Sequence, residues 1–336
     1  MNKPCFLLAA IITSFASCTI NRALQNETAL FPGTQNGKWW IINAIAKDKK
    51  GKDVHYISLM STDRSGRNNY ATCFTSIWYE ADSSYYSGIR TSANPRIKFK
   101  NTFPLKLNFP ANDSTGTEWS WALKRKSLFL QTELKKDRVA NPGIHTELFG
   151  RFDQQKPFRL LKMNASPGIW AVAPIPGKIE ITNNIQSVNA EQIMLRVFSD
   201  KDIFLARSAH EYVYWLDLTL NTGKQLAILF RTDTASGIKI ECISLWDEYD
   251  NLMARPSVQL KKFENREQAT PFTGKSYPLY FTLSLPGENT SFLIKPRMIQ
   301  QEIHANKNSF WMGAVEAEDQ RSNQSSGKGN MYVFKQ

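Results

Sequence analysis

Trp39-Trp40-Ile41-Ile42-Asn43-Ala44-Ile45-Ala46 is followed by Lys47-Asp48-Lys49-Lys50-Gly51-Lys52 and then by Val54-His55-Tyr56-Ile57-Ser58-Leu59-Met60-Ser61. Two runs rich in β-branched and aromatic residues flank a charged stretch with one glycine, which is the pattern of strand, turn and strand. Apolar positions recur with period two rather than 3.6. Further along, Glu118 to Leu123 alternates with Trp119 and Trp121 on one face, and Leu128 to Leu134 returns after Lys124-Arg125-Lys126. The second half repeats the style in Gln192–Phe198, Tyr212–Leu220, Gln225–Arg231 and Ile238–Leu245. Tyr277–Leu285, Ser291–Lys295, Phe310–Glu318 and Met331–Lys335 complete the series. No stretch carries a long capped amphipathic helix, and short helical pieces are expected only near Gln186 to Glu191. Many short strands cut by turns predict an all-β sandwich or barrel.

The chain has 336 residues, a soft prior of two domains. Asn164 to Gly177 holds Pro167, Gly168, Pro174, Pro176 and Gly177, which places a boundary between about 175 and 190. Two β-rich halves of similar size predict two related barrels. Hydrophobic residues make up 42% and charged residues 21%, which excludes a disordered chain. Mean hydropathy is −0.40, which excludes a multi-span helical membrane protein. Lysine and arginine number 42 against 30 acidic residues, so the net charge is +12.

The N-terminus reads as a targeting segment. Met1-Asn2-Lys3 is a basic start, Cys5 to Ala16 is apolar but too short to span a bilayer, and Ala16-Ser17-Cys18 resembles a bacterial lipobox. Lipidation at Cys18 would put several acyl chains in the membrane, enough for stable anchoring. Thr19 stands where inner-membrane retention usually has Asp, so the outer membrane facing the periplasm is expected. The expected divisions are a signal at 1–17, a tether at 18–31, a first barrel at 32–182 and a second at 183–336. Nucleic acid is the wrong partner for that compartment. Cys73 and Cys242 remain after processing; the compartment permits a disulfide, but Cys242 shares a strand face with Ile238 and Ile240, as a buried thiol would.

A set of motifs in order resembles the carotenoid 1,2-hydratase and AttH-type family. Asn36-Gly37-Lys38-Trp39-Trp40 looks like its Glu-Trp-Trp-Tyr opening. Trp215-Leu216-Asp217-Leu218-Thr219-Leu220 with Gly223, Leu226 and Arg231 resembles its Trp-x-x-Leu-x-Leu stretch. Thr273-Gly274-Lys275-Ser276-Tyr277-Pro278, Gln301-Glu302, Phe310-Trp311-Met312-Gly313 and Gly327-Lys328-Gly329 with Tyr332 follow in the family's order. The resemblance implies two tandem lipocalin-like, or calycin, antiparallel β-barrels. The family's Asp-His-x-Trp segment corresponds here to Asp200-Lys201-Asp202-Ile203, which lacks His and Trp. Protonating an alkene needs a positioned acid with a matched pKa, and an aliphatic side chain supplies none.

His55, His145, His210 and His304 have no partner at metal-ligand spacing, so neither a metal nor a cofactor is expected. Gly327-Lys328-Gly329 lacks a phosphate-loop frame and reads as a turn. The candidate acid/base groups are Asp200, Asp202, Asp217 and Glu302. Asp217 lies in an apolar strand, facing either a cavity or solvent at a sheet edge. Arg231 is placed to pair with Asp217 or Glu302. The candidate ligand-binding residues are Trp39, Trp40, Trp215, Arg231, Gln301 and Trp311, since barrels of about eight strands can enclose a small apolar ligand. The leading reading is a lipid-anchored envelope protein that binds an apolar or amphiphilic small molecule. The alternative is a hydratase- or isomerase-type enzyme on an isoprenoid- or polyene-like substrate, and a third is a scaffold with filled barrels.

Overall fold

The computed structural model describes residues 39–65, 68–81, 83–93, 105–109, 118–124, 127–134, 144–151, 159–161, 169–171, 175–182, 186–198, 208, 210–233, 237–247, 257–263, 267–270, 274–305 and 308–335. Cys18, Asp200 and Asp202 lie outside these residues. The first group of strands is β1 (Trp39–Lys47), β2 (Asp53–Ser65), β3 (Asn68–Tyr79), β4 (Tyr85–Ala93), β5 (Leu105–Phe109), β6 (Glu118–Lys124), β7 (Ser127–Leu134), β8 (Ile144–Arg151), β9 (Arg159–Leu161), β10 (Ile169–Ala171), β11 (Ile175–Thr182) and β12 (Gln186–Phe198). The second is β13 (Glu211–Leu220), β14 (Gln225–Asp233), β15 (Gly237–Trp246), β16 (Gln259–Lys262), β17 (Glu267–Ala269), β18 (Ser276–Pro278), β19 (Phe281–Leu285), β20 (Thr290–Pro296), β21 (Glu302–Ala305), β22 (Asn308–Asp319) and β23 (Ser325–Lys335).

The first sheet runs β4-β3-β2-β1-β12-β11-β8-β7-β6-β5 and the second β15-β14-β13-β23-β22-β20-β19-β16. Each path ends on two strands that are consecutive in the chain, as in a meander that curls round to close on itself. Every pairing is antiparallel. The all-β, two-barrel, lipocalin-like expectation holds.

Four local expectations change. Gln186–Phe198 pairs with β1 and β11 in the middle of the first sheet, so this strand belongs to the first barrel and not to the unit expected to begin at 183. Gln186–Glu191 is accordingly strand rather than helix. Tyr277–Leu285 is interrupted: β18 ends at Pro278, which has no N–H to continue a ladder. Gly327-Lys328-Gly329 is not a turn but part of β23. A Cβ at Gly329 would lie 1.9 Å from the Asp217 carbonyl oxygen, so glycine is there for close strand approach.

The opening hairpin is fixed locally. Asp48 Oδ1 accepts from Lys50 N and Lys52 N at 2.8 Å each, and Gly51 takes φ +75°. In the second half, even-numbered residues of β13 point into their own barrel. Tyr214 stacks on Phe230 at 4.6 Å, and Phe281 meets both edge-on at 5.1 Å. Leu216, Leu218, Ile228, Leu283, Trp311 and Val333 fill the rest. In the first barrel, Tyr56 and Ser58 on β2 converge with Thr75 on β3 and Thr132 on β7, all buried. β2 and β7 are far apart along the sheet path, so these contacts cross the lumen.

Odd-numbered residues of β13 and β14 are also buried. They form a second apolar core with the outward face of the first barrel: Ile41, Ile57, Leu59 and Phe74 meet Val213, Trp215, Leu229, Met312, Tyr332 and Phe334. The barrels thus share a seam made by β1–β3 against β13, β14, β22 and β23. Cys73 and Cys242 are both buried thiols outside any disulfide, Cys242 within this seam.

Candidate functional site

Residues directly opposite on neighbouring strands share a face, so the seam is built in layers. The first layer is aromatic. Trp39, partly exposed, meets Phe334 edge-on at 5.3 Å, and Phe334 stacks with Phe310 at 5.6 Å. Phe334 stands opposite Val213, and Val213 opposite Arg231. Arg231 ends this layer with Glu211 at 3.2 Å and Glu241 at 3.7 Å. These carboxylates, rather than Asp217 or Glu302, are its ion-pair partners in space: Asp217 lies four residues along β13 from Val213, opposite Ala227.

The next layers turn polar. Asp217 faces neither solvent nor the lumen of its own barrel; it faces the other barrel. Its Oδ2 accepts from Trp215 Nε1 at 2.6 Å and from Asn43 Nδ2 at 3.3 Å. Tyr332 OH donates to Asn43 Oδ1. All four residues have no exposed surface. Beside them, Asn330 stands opposite Asp217 and its buried amide faces the His55 ring, without a well-formed hydrogen bond. Both ring nitrogens of His55 and the indole N–H of Trp78 are likewise buried without one. Buried polar groups are nearly always bonded, so this concentration is unusual.

The far end of the seam is ionic. Asp53 receives Lys47 at 2.6 Å from its own barrel and Lys328 at 2.8 Å and Arg297 at 2.7 Å from the other. Arg297 also pairs with Glu80 and lies 5.2 Å over the Trp78 ring. Burial opposes ionisation of Asp53, but the bonds from Lys328 and Lys47 prevail and hold its carboxyl well below the usual range. Burial, reinforced by Arg297 and Lys328, lowers the His55 pKa to about 3 against the pull of Asp53. The imidazole is therefore neutral at neutral pH.

The other candidates scatter. Trp40 sits on the opposite face of β1 from Trp39, inside the first barrel, its Nε1 buried without a hydrogen-bond partner. Trp311 belongs to the second barrel's core and donates to Ile299 O at 2.9 Å. Gln301 is a fastening: its amide donates to Met298 O at 2.7 Å and accepts from Ala314 N at 3.0 Å, against Gly313, where a Cβ would meet it at 2.5 Å. Glu302 accepts from Thr270 and from Tyr277 OH at 2.9 Å, holding the β17–β18 hairpin to β21. Burial and the adjacent Glu302 push the Tyr277 hydroxyl's pKa upward.

Trp39, Trp215, Asp217 and Arg231 therefore come together in the seam, while Trp40, Gln301, Glu302 and Trp311 do not. Asn43, His55, Asn330 and Tyr332 went unread as site residues. Asn43 alone carries a signal, as the one amide in the apolar run Trp39–Ala46. Among the described residues, no group of three or more His, Cys, Asp or Glu is placed to hold a metal ion.

The sequence matches no protein-family model and no curated protein. Solved structures do match. A protein assigned as AttH from Nitrosomonas europaea aligns over 88% of this chain and 92% of its own, with a TM-score of 0.64 and 14% identity. Kievitone hydratase from Nectria haematococca aligns over 90% of both chains, with a TM-score of 0.55 and 12% identity. CghA aligns over 89% of this chain and 87% of its own, with a TM-score of 0.51 and 12% identity. The chain has the fold of these AttH-like and hydratase structures, as the ordered motifs implied.

Proposed function

We propose that the protein binds an amphiphilic, largely apolar small molecule in the seam between its barrels, and that a lipid on Cys18 holds it at the bacterial envelope. The observation that carries this reading is the layered seam: an aromatic lip at Trp39, Phe310 and Phe334 leads to a fully buried polar quartet, Asn43, Asp217, Tyr332 and Trp215, supplied by both barrels. Such an interface offers an apolar molecule a place for its body and a few fixed partners for its polar group. The second barrel offers no comparable place, because its aromatic core interlocks. The anchor rests on the Ala16-Ser17-Cys18 signature.

The test is to purify the unlipidated mature chain without detergent and identify bound compounds by mass spectrometry. A stoichiometric apolar compound, lost in Asp217→Leu, is expected. An empty extract, with no change in tryptophan emission on adding fatty acids or polyenes, would overturn the reading.

A second reading is a hydratase-type catalyst, favoured by one observation. Asp217 is a fully buried carboxylate held in place by Trp215 and Asn43, a positioned group of the kind acid/base chemistry needs. Its kinship in fold with a hydratase supports the same reading. Turnover of a polyene that vanishes in Asp217→Asn, with binding retained, separates the enzyme from the binder.

A further inference from the structure

His55 lies on the face of β2 that turns toward the other barrel, opposite Ile45 and Trp78. Its ring is 5.1 Å from the Trp78 ring and faces the Asn330 amide, without a well-formed hydrogen bond at either nitrogen. The charged groups that act on it are Asp53 on its own strand and, from the other barrel, Arg297 after β20 and Lys328 on β23. Lys47 on β1 and Glu80 after β3 pair with that same cluster, Tyr85 on β4 stands opposite Trp78, and Asp217 on β13 lies further along the seam. Hydrating this imidazole does not require either barrel to unfold. The seam core is distinct from the second barrel's inner core, so parting the shared face would reach this imidazole and leave that inner core intact.

We propose that the seam is an acid-operated joint: His55 takes up a proton when the barrels separate, so acidification opens the seam and frees what it holds. The release half of this rests on the seam being the binding site; the opening half does not. A histidine freed to water titrates near 6.5, against about 3 when enclosed. Protons therefore favour the open form below pH 6.5, and the open-to-closed ratio rises about 30-fold between pH 7.5 and 5 by linkage. Asp53, held ionised by Lys328 and Lys47, stays charged across that window.

The molecule carries its own reporters. Cys242 lies in the seam, whereas Cys73 stands opposite Met60 on the lumen side of the first barrel. The full chain is pulsed with 4,4′-dithiodipyridine at pH 5 and 7.5, rates are scaled to free cysteine at each pH, and each thiol is read by peptide mass spectrometry. Cys242 labelling should rise about 30-fold at pH 5 with Cys73 unchanged, and His55→Leu should flatten the response. A flat Cys242 signal in the unaltered protein, a parallel rise at Cys73, or an acid response that survives both His55→Leu and His55→Gln would each overturn the joint. The co-purified apolar compound is assayed in parallel at both pH values. If Cys242 opens with acid but no compound is ever found, the binding reading fails and the joint stands.

Discussion

The second barrel's interior and the seam are made by alternate residues of the same strands, yet they are finished differently. Inside the barrel, Tyr212 and Tyr214 deliver their hydroxyls to Ser276 O and Pro278 O at 3.2 and 3.1 Å. In the seam, a carboxylate on β13 and an amide on β23 are enclosed with an amide from β1 and an imidazole from β2, and several of their polar atoms make no well-formed hydrogen bond. An interior built for stability leaves nothing to add. A face that buries polar groups without bonding them keeps capacity for a ligand or for a change of state.

Substitutions can break this contrast. The largest effect is expected from Phe281→Ala, which removes a ring edge-on to Tyr214 and Phe230 and should cost about 3–5 kcal/mol in denaturant unfolding. Ligand affinity per folded molecule should not change. Asp217→Leu leaves the Trp215 indole N–H and the Asn43 amide without their acceptor. It should cost about 1–3 kcal/mol and abolish ligand retention in the same preparation. Gly329→Ala forces β23 away from β13 and should cost about 1–3 kcal/mol, with loosening visible as faster amide exchange across that pair.

Acid sharpens the comparison at the ionic end. The folded carboxyl of Asp53 sits below its ordinary value of 3.8, so its contribution to stability is present above that pH and is lost as pH falls below it. The melting temperature below pH 4 should therefore drop less steeply in Asp53→Asn, from a lower starting point. The smallest effect is expected from Lys224→Ala, which removes a half-exposed pair with Glu288 at 2.7 Å; a loss under about 1 kcal/mol should be measured, with no effect on the seam.

How far the sequence could be read follows the range of the forces involved. The Lys47–Lys52 hairpin is legible because Asp48 and Gly51 set the turn with bonds inside it. The strands are legible because period-two burial is written along each one. Which face meets which is not. Trp215 and Trp311 look alike as strand tryptophans, but one serves the seam and the other the barrel core. Asp217 was ambiguous because its partner Asn43 is 174 residues away. The glycines at 327 and 329 misled for a related reason. Turn chemistry is local, whereas the need to let a neighbouring backbone approach depends on β13, more than a hundred residues upstream. Asn43, His55 and Asn330 were passed over because, read singly, each resembles an ordinary polar residue on a wet strand face.

Both faces of β13 and β14 are buried along Glu211–Leu218 and Gln225–Thr232. The second barrel made alone would therefore carry Val213, Trp215, Leu229, Phe310 and Phe334 on its outside as one continuous greasy slab. Such a fragment should self-associate through that slab, so the halves of this chain are not interchangeable modules: each serves as the other's solubilising cover.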